Sequence, residues 1–323
     1  MDLLSPADTT EAGDRIAGLV RTPAVARFAP EEVSARVGAD VDLSMVLEFM
    51  QFTGSFKARG AANFVLAHAA NGTLPPGGIA IASGGNAGLA FAWAAELVGS
   101  KATVFVPVTT PDAKLDRLNT LGAVVHRVGA EYADAARACR EFAKGDDVLL
   151  AHAYDNRLMA AGAGTLVADV LASAPEVATL VVAVGGGGLF AGVATAAAAH
   201  GIRTVGVEPR NSRALNAGVL AGRPVDVEVD SVAMDSLGAR RATELAVRAA
   251  LSFDTRSVLV DDRLIVAARD LLWNRCRIVV EYGAATALAA LLGAPPAYAP
   301  EPGESVCVVL CGANTQPAGP SPR

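Results

Sequence analysis

The chain has 323 residues, of which 52% are hydrophobic and 19% charged, and its formal net charge is -6. That length suits one large or two interlocked domains, and that apolar content supports a substantial core and excludes dominant disorder. The acidic balance, without a Lys/Arg-rich run, excludes nucleic acid as the main partner.

The opening "MDLLSPADTTEAGDR" is acidic and lacks the basic-then-apolar order of a signal peptide. Later apolar stretches are interrupted by Gly, Pro or charge before reaching spanning length, so a soluble protein is expected. The first strand expected is "VDLSMVLEF" (41–49). It is followed by "QFTGSFKARGAANFV" (51–65), in which Thr53, Gly54 and Ser55 read as a helix start. Lys57 then falls in the first helical turn, where backbone N–H groups make the field positive and disfavour a cation. A lysine so placed, and buried beside Phe56, has a lowered pKa and a free amine able to attack a carbonyl. An ordinary surface lysine early in a helix is the plainer alternative.

"NGTLPPGG" (71–78) reads as a linker. Beyond it, "NAGLAFAWAAELVG", "PDAKLDRLNTLG" and "YADAARACREFAKG" read as helices, alternating with the strands "ATVFVPV" and "AVVHRVG". "TLVVAV", "RTVGVEP", "SVLVDD" and "SVCVVLCG" read as further strands, with helices in "LFAGVATAAAAHG" and "DRLIVAARDLLWNRCRI". All these strands are expected to be buried on both faces, so the fold class is α/β: two open, mainly parallel sheets flanked by helices. The expected division is a large domain of residues 1–70 and 155–323 and a small one of 71–154. The tail "QPAGPSPR" reads as disordered. Cys139, Cys276, Cys307 and Cys311 form no C-x-x-C pair, which suits free thiols in a reducing cytoplasm.

Four consecutive glycines, Gly185, Gly186, Gly187 and Gly188, stand between an expected strand and helix. Bare N–H groups at a helix N-terminus can close on a phosphate, whereas a simple tight turn needs only one or two glycines. Gly186, Gly188 and Ala191 also satisfy G-x-G-x-x-A, with Glu208 at the distance of a ribose-binding acid, which favours a nicotinamide or flavin enzyme. A lysine that needs a carbonyl and a cradle that needs a phosphate are together answered by pyridoxal 5'-phosphate.

"SFKARGA", "SGGNAG", "VGGGGL", "VEYGAATALAAL" and "LCGAN" occur in the order and approximate spacing of the fold-type II pyridoxal-phosphate enzymes. The chain resembles their serine/threonine dehydratase branch (threonine ammonia-lyases) over nearly its whole length. The resemblance implies a tryptophan synthase beta-like fold, a small amino-acid substrate and a homodimer. It makes Lys57 the Schiff-base lysine and the base for the substrate Cα proton. Ser83, Gly84, Gly85, Asn86 and Ala87 would bind the substrate carboxylate, with Ser83 contributing its hydroxyl. Asn86 also reaches the cofactor's 3-oxygen in this reading, although it could simply cap a helix. Phe56, Leu189 and the four glycines complete the cofactor set, with Cys311 facing the pyridine nitrogen. As a plain strand residue, Cys311 would be buried and inert.

Serine racemases of this fold carry a second serine just after the one matching Ser83, whereas this chain has Gly84, so racemisation is disfavoured. Glu208, with carbonyls of Ser212, Leu237 and Ala239, matches a cation site in the family. The lack of a following acid suggests potassium rather than a divalent ion, and a plain strand-end glutamate is the alternative. Tyr282 replaces the usual proline after Glu281, which could position the substrate hydroxyl. The chain ends soon after "LCGAN", so no regulatory domain is expected. The expected reaction is β-elimination from L-serine or L-threonine to a 2-oxo acid and ammonia. The rivals are β-replacement or racemisation on the same fold, a nicotinamide-dependent dehydrogenase, and an inactive ligand-binding relative.

Overall fold

The computed structural model describes residues 3–27, 31–37, 41–145 and 147–316. The expected tail therefore lies, Gln316 apart, outside the described residues. In chain order, α1 (Pro6–Ile16), β1 (Val25–Ala26), α2 (Glu31–Val37) and β2 (Asp42–Val46) lead through a 3-10 turn (Glu48–Met50) into α3 (Lys57–Ala70). Next come β3 (Ile79–Ala82), α4 (Asn86–Glu96), β4 (Ala102–Val106), α5 (Asp112–Thr120), β5 (Val124–Arg127), α6 (Tyr132–Phe142) and β6 (Leu149–Leu150). The chain continues through α7 (Arg157–Gly164), α8 (Leu166–Ser173), β7 (Thr179–Ala183), α9 (Gly188–Ala198), β8 (Arg203–Pro209) and α10 (Ala214–Ala221). It closes with α11 (Met234–Leu237), α12 (Glu244–Ser252), β9 (Thr255–Val260), α13 (Asp262–Cys276), α14 (Tyr282–Ala289) and β10 (Ser305–Val309).

The strands form two sheets, one in the order β1-β2-β10-β7-β8-β9 and the other β5-β4-β3-β6. Every pairing is parallel except that of β1 with β2. β4, β7 and β10 are buried at every position, as apolar runs covered by helices on both faces should be. The expectation of two-sided burial fails at the edges. In β5 Val124 is 50% exposed, as suits a strand with a neighbour on one side only. β9, at the edge of the larger sheet, is half-buried for most of its length. No described helix is long and apolar enough to cross a membrane.

The apolar run 41–49 does not continue as a strand past Val46, and the reason is polar. Glu48 turns inward and is completely buried, where it meets Arg59 of α3, itself 1% exposed. The guanidinium donates from Nε to Glu48 Oε1 at 2.7 Å and from Nη2 to Glu48 Oε2 at 3.1 Å, the two-pronged geometry that suits a carboxylate. It also reaches Asp169 Oδ2 of α8 at 2.6 Å and Thr165 Oγ1 at 3.0 Å. Burial alone would disfavour this cation, but Glu48 and Asp169 outweigh it and hold Arg59 above its ordinary range. α3 packs against α4 on one side and α7 on the other. The start of α3 is thus fixed between the two sheets, two residues from its most deeply anchored side chain. Glu48→Ala would leave Arg59 buried and short of its main partner. The expected loss is about 3–5 kcal/mol in urea unfolding, and a loss under about 1 kcal/mol would show the network to be dispensable.

Candidate active site

The start of α3 is held by backbone pairing rather than by the expected polar cap. Phe56 occupies the cap position with helical dihedrals and makes no side-chain cap bond. The Thr53 and Ser55 hydroxyls are buried without a partner among the described residues. Instead, Phe56 N–H donates to the Cys311 carbonyl at 2.9 Å, Ser55 bridges to Gly312, and Ala313 N–H donates to the Gly54 carbonyl at 2.9 Å. The segment after β10 therefore lies alongside the segment before α3, and Cys311 comes to the side of Lys57.

Lys57 Nζ donates to the Ala153 carbonyl at 2.7 Å and lies 4.7 Å from the centre of the Phe56 ring and 5.9 Å from that of Tyr154. Burial among these groups lowers its pKa to about 8, with Cys311 and Glu281 pulling in the opposite direction. Burial pushes the Cys311 thiol up to about 12, so it keeps its proton.

The glycine turn lies against the same aromatic ring. A Cβ on Gly186 would sit 2.1 Å from a ring carbon of Tyr154, and one on Gly188 would sit 3.0 Å from the Tyr154 carbonyl. Gly187 caps α9 at φ +93°, a conformation that side chains resist, and a Cβ there would lie 2.4 Å from Ala246 Cβ. Leu189 buries its side chain in the core, leaving its first-turn N–H as the group it offers to a ligand. Tyr154 thus links the lysine to the glycines. No periodic or motif cue in the sequence points to it, since it follows the two-residue strand β6 in an irregular turn.

Asn86 does not cap α4. The cap position belongs to Gly85, whose N–H faces Ser83 Oγ at 3.4 Å, and Asn86 is the first helical residue. Its amide nitrogen instead donates to both carboxylate oxygens of Glu281 at 3.0 Å, and its oxygen accepts from Asn314 Nδ2 at 2.7 Å. Asn314 N–H donates to Glu281 Oε1 at 2.9 Å, closing the cluster. Burial raises the Glu281 pKa against the opposing bonds from Asn86 and Asn314. Beside this cluster a cavity of about 220 Å³ opens, lined by Gly84, Gly85 and Asn86 on one wall and Glu281 and Tyr282 on another. Lys57 and the glycine turn do not line it. Tyr282 carries the Arg269 guanidinium over its ring at 4.4 Å. Ala87 is buried in the first turn of α4.

The four residues suggested for a cation are only partly convergent. Glu208 is buried, and its carboxylate accepts from the Leu215 and Asn216 N–H groups at 2.7 and 2.8 Å, at the N-terminus of α10. It is therefore not free as a ribose-binding acid, which removes one support of the nicotinamide reading. Ser212 Oγ donates to the Leu237 carbonyl at 2.8 Å, while among the described residues no hydrogen bond involves Ala239.

Residues 20–312 match the family model described as pyridoxal-phosphate dependent enzyme, and the chain belongs to that family. It is 32% identical over 307 residues to an L-threonine ammonia-lyase of Geobacter sulfurreducens, covering 94% of this chain and 74% of that one. Among solved structures it resembles maize serine racemase, with 26% identity and a TM-score of 0.89 over 98% of this chain and 95% of that one. It also resembles a T.th. threonine deaminase, with 28% identity and a TM-score of 0.86 over 98% and 100% of the two chains. The two-sheet α/β architecture is that of the fold-type II enzymes. Pyridoxal phosphate fits the residues present: an amine of lowered pKa, flanking aromatic rings and a turn that a Cβ would obstruct. Gly186→Ala is expected to cost about 1–3 kcal/mol by overpacking against Tyr154. In urea unfolding the Gly186→Ala/Tyr154→Ala double variant should lose less than the sum of the single losses, and strict additivity would mean the two do not touch.

Proposed function

We propose that the protein is a pyridoxal-phosphate-dependent ammonia-lyase that eliminates the β-hydroxyl of L-serine or L-threonine to give a 2-oxo acid and ammonia. The observation that carries this reading is Lys57: a buried amine with a pKa of about 8, set beside a glycine turn, in a chain similar to a threonine ammonia-lyase and a threonine deaminase. Lys57 would hold the cofactor aldehyde, Gly185 to Gly188 with the Leu189 N–H its phosphate, Asn86 its ring oxygen, and Cys311 its ring nitrogen. When bound, the cofactor withdraws electrons from the substrate Cα.

The chain's own residues supply the rest. Ser83 and the N–H groups of Gly84 to Ala87 bind the substrate carboxylate at the N-terminus of α4, where the field is positive. Lys57, largely neutral above pH 8, accepts the Cα proton. Phe56 and Tyr154 exclude water from that amine. Cys311 retains its thiol proton and so cannot keep a ring nitrogen cationic as a carboxylate would, which suits rapid loss of a β-substituent. Racemisation needs a second acid on the opposite face. Gly84 provides none, and a Cβ there would press on Val106 and Thr110 at 3.2 and 3.3 Å.

In the same reading residues 71–154 form the small domain and 1–70 with 155–323 the large one, a division supported by the separate sheet of β3 to β6. A potassium ion near Glu208, with carbonyls of Ser212, Leu237 and Ala239, would relieve the burial that raises this carboxyl to about 8. A cytoplasmic homodimer completes the reading, and the four free cysteines suit a reducing compartment.

The test is 2-oxo acid release from L-serine, L-threonine and their D-isomers by the holoenzyme, with Lys57→Ala as control. Release from an L-isomer that disappears in the variant is expected. Interconversion of L- and D-serine without release would favour a racemase. Uptake of pyridoxal phosphate by the cofactor-free protein should accelerate through pH 8 and level off above it, because only the neutral amine reacts. An inflection near the ordinary lysine value of 10.5 would mean that Lys57 is not held as described.

A further inference from the structure

The turn that brings Tyr154 and the Ala153 carbonyl to Lys57 is closed by a side chain outside the site, His152. Residues 152–155 run irregularly between β6 and α7. The turn is entered through Ala151, whose N–H donates to the Ala80 carbonyl of β3 at 2.8 Å. It is left through Asn156, which caps α7 by accepting from the Leu158 N–H at 2.8 Å. Inside it, among the described residues, the only hydrogen bonds from backbone N–H groups converge on one atom, His152 Nδ1. Asp155 N–H donates to it at 2.9 Å and Tyr154 N–H at 3.4 Å. The His152 ring also meets the Tyr154 ring edge-on, with centroids 4.8 Å apart. Closed in this way, the turn sets two groups of the site. The Ala153 carbonyl receives the Lys57 amine at 2.7 Å, and Tyr154 lies against Gly186 and Gly188.

Resting on the reading of Lys57 as the lysine that holds pyridoxal phosphate, we propose that His152 is a positioning residue. As a neutral acceptor it closes the 152–155 turn, which aims the free Lys57 amine and seats Tyr154 beside the glycines. An Nδ1 that accepts carries no hydrogen, so the geometry requires the neutral tautomer with its hydrogen on Nε2. A neutral amine has two hydrogens and one lone pair. Donating one hydrogen to the Ala153 carbonyl restricts where the lone pair points, which favours attack on the cofactor's carbonyl carbon. Protonating His152 would put an N–H where two backbone donors need an acceptor, and the turn would open. Burial lowers the His152 pKa below the ordinary 6.5; Asp155 opposes this shift and Lys57 adds to it. The phenols of Tyr154 and of Tyr132 on α6, both raised by burial, stay uncharged in this range. The intact turn therefore takes up a proton less readily than an opened one. It is at full strength above pH 6.5 and weakens as the pH falls below that value.

Asparagine and glutamine separate this role from simple packing, because an Asn side-chain oxygen falls about where Nδ1 lies, whereas that of Gln falls near Nε2. The rate of pyridoxal-phosphate uptake by the cofactor-free protein is measured above pH 8, where Lys57 is largely neutral. It should fall roughly fivefold to thirtyfold in His152→Gln and His152→Ala, as loss of one or two hydrogen bonds implies, and stay within about twofold of wild type in His152→Asn. The ratio of wild-type to His152→Asn rates cancels the titration of Lys57 and of the cofactor itself. This ratio should be constant above pH 6.5 and fall in more acid solution. NMR of the imidazole nitrogens in the cofactor-free wild type should show the neutral His152 ring with its hydrogen on Nε2, a result that needs no variant to fold. His152 is exposed, so circular dichroism of the variants should match that of the wild type. Equal uptake rates in His152→Asn and His152→Gln, a ratio flat down to about pH 5, or a neutral ring with its hydrogen on Nδ1 overturns the proposal. No uptake by the wild type, with the Nε2 tautomer in place, would instead refute Lys57 as the cofactor lysine and the role built on it.

Discussion

Arg59 is a buried cation two residues beyond the reactive lysine, and much of the architecture follows from the need to give it partners. A guanidinium without compensation inside a protein costs several kcal/mol. Its compensation comes from three separate places: the turn after β2, the junction of α7 and α8, and the body of α8. β2 stops at Val46 because the following backbone must turn Glu48 inward. Asp169, at 28% exposure, is the member of the cluster that reaches water. The ionic cluster holds α3 in one position, and Lys57 inherits that position.

Around the lysine, burial moves each ionisable group toward its neutral form. The amine is pushed toward its free base, the Cys311 thiol retains its proton, and Glu281 is drawn toward protonation. In such surroundings fixed N–H dipoles at the starts of α4 and α9 act with little competition from mobile charge, and at short range they are strong. The cations Lys114 and Arg117 stand outside this zone on α5.

The sequence made much of this legible. Long β-branched runs alternating with Ala-rich stretches foretold a parallel α/β fold, and the glycine run and Lys57 were both visible as local anomalies. Hidden features fall into two kinds. Short or exposed strands, such as β3 with its four residues "IAIA" and the edge strand β5, give weak or misleading hydrophobic patterns. Contacts between distant segments leave no local trace at all. Thr53 and Ser55 look like caps because serine and threonine usually are. The actual constraint on that helix start is the strand-like pairing with residues 311–314, far along the chain. Asn86 misleads for the same reason: in the sequence it reads as a cap, but it is the first helical residue and its partners are Glu281 and Asn314. Tyr154, wedged between the lysine and the glycines, is recognisable only once the turn after β6 is folded.

The side-chain amide of Asn86 is bonded at both ends, its nitrogen donating to the two carboxylate oxygens of Glu281 and its oxygen accepting from Asn314 Nδ2. It begins a helix of the smaller sheet, while Glu281 and Asn314 flank the helix and strand that close the larger one. The cluster thus links elements that belong to the two sheets. A ligand that takes the Asn86 amide oxygen would displace Asn314 and weaken that link. Ligand binding at the Asn86 oxygen and the strength of the link between the two sheets would then be coupled.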